Sequence, residues 1–169
     1  MQEDFPNIER EFYGTISLEK ITMKAIGLPP PVLDRIIRHV NRKLWWHVPP
    51  RDPAAYVKRG KFLASSFAEA EFWGRPLDDP QKVRISRPLI GDEATIETTL
   101  LGRVVSNDAI SMERRWALDA RIKKAARKRG YDSIVLVSPK AFLALKTAGK
   151  LPRSMELNIL SPGGKSAGM

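Results

Sequence analysis

Residues 44–74 read LWWHVPPRDPAAYVKRGKFLASSFAEAEFWG, and this stretch limits the folds open to the chain more than any other. Two short apolar runs, 44–48 and 61–65, have the length of strands, and the prolines between them prevent one continuous element. The first run ends near His47. The second carries Phe62 into the paired Ser65 and Ser66, and a short helix is expected over 68–73 before Gly74. A histidine, aromatics and two hydroxyls at neighbouring strand ends read as a small-molecule pocket as well as a piece of core.

The rest of the chain alternates in the same way. Ser17 caps an expected short helix carrying Leu18, Ile21, Ala25 and Ile26, which Gly27 stops. After the prolines at 29–31, Val32, Leu33, Ile36, Ile37 and Val40 form one apolar stripe at helical spacing. Further strands are expected at 82–85, 94–101, 133–137 and 156–160, with PLIGDE (88–93) as a turn. Helices are expected at 113–129, closed by Gly130, and at 139–147, before Gly149. The expected architecture is α+β: an N-terminal helical hairpin within 1–43 packed on a core over 44–160, and a loose tail over 161–169.

The 169 residues suit one domain, and 43% hydrophobic with 28% charged residues is the balance of an ordinary globular chain. No apolar run reaches the length of a bilayer span, so no membrane is expected. The opening MQEDFPNIEREF carries acids where an export signal would be basic and then apolar, which points to a cytoplasmic setting. Cysteine is absent, excluding disulfides and thiolate metal sites, and no metal is expected.

Charge is the second constraint. Twenty-nine Lys and Arg against nineteen Asp and Glu leave a formal net charge of +10, which draws polyanions at low salt. The long helix concentrates that charge: Arg121, Lys123, Lys124, Arg127 and Lys128 surround a stripe of Leu118, Ile122 and Ala125. Such a face suits phosphate contact, and it equally suits plain solvation beside the negative end of the helix dipole.

Taken together, LWWHVPP, RGKFLASS and EFWG resemble the first half of the mono-ADP-ribosyltransferase fold, the branch with a histidine, paired aromatics and a glutamate. RGYDSIVLV, the loop 138–153 and SMELNILSP resemble its second half. The resemblance, over about 44–162, implies a split mixed and antiparallel β core with flanking helices. It implies NAD as substrate, bound by His47 at the ribose or the adenosine side and by Phe62 and Trp73 around the nicotinamide, with Ser65 or Ser66 touching the cofactor or orienting Glu156. Phe62 and Trp73 have the family's ten intervening residues, although the family usually carries tyrosines there. Glu156 takes the catalytic place, and nearness in sequence adds Arg51 and Arg59 for the diphosphate.

In that mechanism the glutamate holds the ribose 2′-hydroxyl and stabilises an oxocarbenium-like cation, the electronic problem glycosidases also meet. The expected function is therefore transfer of ADP-ribose, with nicotinamide release, to a protein or nucleic-acid acceptor, as in toxin or effector enzymes. Arginine-modifying members place Glu or Gln two residues before the catalytic glutamate, where this chain has Ser154. Lys140, Lys146, Lys150 and Arg153 make the preceding loop basic, which favours an anionic acceptor. Two other functions fit the residues: a non-catalytic basic DNA- or RNA-binding protein, and an RNA 2′-phosphotransferase of similar fold.

Overall fold

In the computed structural model, which describes residues 28–106 and 109–161, five strands form one mixed sheet flanked by helices. In chain order the elements are α1 (Pro30–Arg42), β1 (Trp46–His47), α2 (Ala54–Arg59), β2 (Lys61–Ala64), α3 (Phe67–Glu71), β3 (Pro88–Gly91), α4 (Glu93–Leu101), α5 (Met112–Lys128), β4 (Ser133–Leu136), α6 (Pro139–Ala148) and β5 (Glu156–Ile159). The α+β class and the mixed sheet are as expected, but the core is not split: β2 and β5 pair directly and join all five strands into one sheet. The first helix expected from Ser17 and nearly all of the tail lie outside the described residues.

The strand order is β1-β2-β5-β4-β3, with β3 and β4 parallel and every other neighbouring pair antiparallel. Thus β2, β4 and β3 run one way, and their carboxyl ends meet the beginning of β5. The register pairs Ala64 with Glu156 and Glu156 with Leu136, so these side chains share one face at one end of the sheet. Leu63, Leu157 and Val135 form the next row, and all three are buried. A slip of one residue would turn Glu156 into that core, so the apolar row fixes the direction of the glutamate.

α1 starts with Pro30 in its first turn, where the missing N–H costs nothing, and it buries Ile36 and Val40 as the stripe predicts. Trp45 is fully buried beside it, its indole N–H donating to the Val40 carbonyl at 3.0 Å. Arg35 donates to the Gly149 carbonyl at 3.0 Å, tying α1 to the end of α6.

Two expected elements are overturned and one element is added. Residues 94–101 are not a strand but α4: Asp92 accepts from the Thr95 N–H at 2.7 Å as N-cap, and Gly102 closes the helix at φ 80. Those end signals outweigh the strand preference of Thr95, Ile96, Thr98 and Thr99. The strand expected at 82–85 lies instead at β3, inside the segment read as a turn; before it, only an isolated bridge from Gln81 to Trp45 forms. β3 is buried along its whole length, so it shows a continuous apolar run with no alternation. The added element is α2, begun where Asp52 accepts from the Ala54 N–H at 3.0 Å.

Candidate active site

Three helices begin where β2, β3 and β4 end. α3, α4 and α6 have Ser66, Asp92 and Ser138 as N-caps, each accepting from the backbone N–H three residues on. Between these beginnings and the start of β5 lies an open cleft of about 550 Å3. Ala64, Leu136 and Glu156 form its floor, and Glu69, Trp73, Glu93, Val104, Ser106 and Ser154 are among its walls. Its size suits a small organic ligand or half of a dinucleotide.

Glu156 is held in an unfavourable setting for a charge. Burial, and then the nearby Asp119 carboxylate, push its pKa up to about 7, against the pull of Arg115. Asp119 itself is raised to about 6, chiefly by burial. Arg115 bridges to Glu93 and lies 3.4 Å from Asp119, so it partly balances the cluster without pairing with Glu156 directly. A carboxyl raised toward neutrality by burial in a cleft is a candidate for a group used in chemistry, and a structural charge cluster produces the same shift.

A second carboxylate, Glu69, is held by hydroxyls. Ser65 donates to its Oε2 at 2.6 Å and Ser154 to its Oε1 at 2.5 Å. The Ser65 hydroxyl also accepts from the Met155 N–H at 3.0 Å, fastening the end of β2 to the residue before Glu156. Ser65 is thus buried behind the cleft as a brace, and Ser66 serves as a helix cap.

The predicted site residues part company here. Trp73 and Glu156 line the cleft together although they are remote in sequence. His47 and Phe62 are not among its lining residues. His47 is buried and spends both ring nitrogens on the protein: Nδ1 donates to the Phe62 carbonyl at 2.8 Å, which leaves Nε2 to accept from the Tyr56 hydroxyl at 2.8 Å. Burial lowers its pKa, so the imidazole is neutral near pH 7. Phe62 is half-buried on the Glu156 face, paired with Asn158. Trp73 is two-thirds exposed at the rim, edge-to-face with Phe72 at 5.1 Å.

Among the basic residues, Arg121, Lys124, Arg127 and Lys128 are exposed as expected. Lys123 departs from the expectation: it is buried, and its ammonium donates to the Val57 carbonyl, joining α5 to α2. Neither Arg51 nor Arg59 lines the cleft, and the Arg59 guanidinium lies 4.7 Å over the half-exposed Trp116 ring.

Sequence reasoning missed Glu69, Glu93, Arg115 and Asp119. For Glu69 a signal exists, since Ser66 and Glu69 have the spacing of a capping box and so mark a helix beginning at the strand end. Arg115 and Asp119 carry no local mark, because only tertiary packing brings α5 against Glu156. No protein-family model, curated protein or solved structure matches the chain.

Proposed function

We propose that the chain is an NAD-dependent ADP-ribosyltransferase with Glu156 as its catalytic residue. The observation that carries this reading is that the strands leading to His47, Ser65 and Glu156 are hydrogen-bonded neighbours, in the order β1-β2-β5, with Glu156 and Trp73 facing one cleft. Trp73 and Glu156, 83 positions apart, meet in that cleft, and the resemblance names both for one NAD site.

The chemistry follows from the geometry. NAD enters with its nicotinamide beside the Trp73 ring, whose exposed face is free for stacking. The cluster of Glu69, Glu93 and Glu156 makes the cleft acidic in a basic body, a complement to the cationic nicotinamide ring and the ribosyl cation it leaves behind. Glu156, as carboxylate, stabilises that cation. His47 acts at one remove, holding β1 to α2 and β2 rather than touching ligand.

Labelled NAD incubated with the protein and a panel of acceptors should release nicotinamide. Glu156→Gln, which keeps size and polarity, should cut release by about 10²-fold or more while leaving the fold intact. Absence of both NAD binding and turnover with every acceptor would overturn the reading.

One observation favours a nucleic-acid-binding reading: the Arg59 guanidinium stacks on the half-exposed Trp116 ring, a cation and ring pair of the kind single strands use, and α5 also exposes Arg114, Arg121 and Lys124. It is compatible with catalysis, since a bound strand can also be the acceptor.

A further inference from the structure

Transfer of ADP-ribose requires two services from a protein, and Glu156 supplies only one of them. The bond from the ribose anomeric carbon to the nicotinamide nitrogen breaks, and its electron pair leaves with neutral nicotinamide, so the leaving group needs no acid. A new bond forms from the acceptor heteroatom to that carbon, and the acceptor's proton must go to a base. In glycoside inversion the same division of work is met by two carboxylates on different sides of the sugar.

Among the described residues lining the cleft, carboxylates are the only side chains able to serve as that base; no lining residue is His, Lys, Tyr or Asp. Glu156 is occupied with the ribose. Glu93 is paired with the Arg115 guanidinium. Among the described residues Glu69 has no cationic partner: its two oxygens accept from the Ser65 and Ser154 hydroxyls, and each retains a lone pair. These hydrogen bonds also show that the position receives hydroxyl donors at 2.5 to 2.6 Å, and Ser154 itself is exposed at the wall, where an incoming group can replace it.

We infer that Glu69 is the acceptor-side base of the cleft, taking the proton of the attacking group while Glu156 stabilises the ribosyl cation. The inference rests on the ADP-ribosyltransferase reading. It gives the pair of serines a purpose, since Ser65 holds the carboxylate from the buried side and Ser154 marks the place of the acceptor. Water attacking in the open cleft can pass its proton to bulk solvent, whereas a macromolecular acceptor covers the cleft and depends on the protein's own base. Glu69 therefore governs the ratio of transfer to hydrolysis more than the rate of nicotinamide release.

The test offers a single-stranded oligonucleotide, a serine peptide and an arginine peptide, and measures ADP-ribose on the acceptor against free ADP-ribose. Glu69→Gln should lower that ratio by about 10²-fold, within the range of general-base effects, and because the ratio compares two fates of the same ribosyl cation it is independent of any loss of release that follows from the missing charge; Glu69→Asp should restore part of it. Where Glu69→Gln does not fold, Glu69→Asp carries the test: it keeps the carboxylate but draws it back from the acceptor, and should lower the ratio by a smaller factor. A Glu69→Gln variant that is folded and transfers normally, or a Glu69→Asp variant with an unchanged ratio where Glu69→Gln does not fold, overturns the role of Glu69, as does nicotinamide release without transfer to any probe. No nicotinamide release at all overturns the ADP-ribosyltransferase reading beneath it.

Discussion

A carboxyl whose pKa stands at about 7 links catalysis and stability through one proton. If Glu156 works as a carboxylate, kcat/KM for nicotinamide release rises with pH along a limb centred near 7, since protonation removes the charge that stabilises the cation. The stability effect has the opposite sense. Unfolded, the group has its ordinary value of 4.5, so the native state holds the proton more tightly. That advantage is complete below about 4.5 and is lost as pH rises through about 7, where burial of the charge weighs on the native state. Glu156→Gln should therefore melt higher than the unaltered protein at pH 8, by ~1–2 kcal/mol after allowing for partial exposure, with the difference closing toward pH 4.5. Thermal melts at the two pH values decide it, and equal differences at both would show that the carboxyl is not strained. Glu97 illustrates the contrary arrangement. It is fully buried, yet it accepts from the Val105 and Ser106 N–H groups and the Ser106 hydroxyl, so its carboxylate fixes the loop that forms one cleft wall.

The elements with a strong period are those the sequence declares. α1 and α5 show apolar stripes at helical spacing, and β2 and β5 are short runs bounded by Gly60 and by Ser154. α4 was hidden because Thr and Ile at four positions favour a strand, while its true determinants are two end residues, Asp92 and Gly102. Asp92→Ala should cost about 1 kcal/mol and loosen the entry to the cleft, measurable by denaturant titration and by hydrogen exchange in α4. The candidate site divides along the same line. Glu156 and Trp73, named through the resemblance, line one cleft, whereas the Arg115 and Asp119 pair depends on the packing of α5, which no local pattern encodes. Gly60 shows how tightly such packing is set. It holds φ 86 between α2 and β2, and a Cβ there would lie 2.3 Å from the Asn158 side chain and 2.6 Å from the Ile159 carbonyl. Gly60→Ala strains the backbone and pushes β5 away at once, so a loss of ~2 kcal/mol or more is expected in the same titration.

Over the whole molecule, sign of charge is segregated: an acidic cleft lies in a chain of net charge +10. The interior sign suits a cationic ring and a developing cation, and the exterior sign suits phosphates, so one molecule can guide a dinucleotide and an anionic acceptor without placing cations at the reacting carbon. The two fields are separable by mutation because Arg121, Lys124, Arg127 and Lys128 are exposed on α5, while Lys123 is spent on the α2 contact and must be left in place. Replacing those four by serine should leave the melting midpoint nearly unchanged. If each meets one phosphate, the slope of log affinity against log salt for a single-stranded oligonucleotide should become shallower by about 3, near 0.7 for each contact removed. Nicotinamide release into water should be unaffected, because none of the four lines the cleft. An unchanged slope would mean that the basic face of α5 is only solvated and that any nucleic-acid acceptor is held elsewhere. Loss of release along with the slope would mean instead that the outer charges reach the cleft and help bind the NAD diphosphate, joining the two fields into one site.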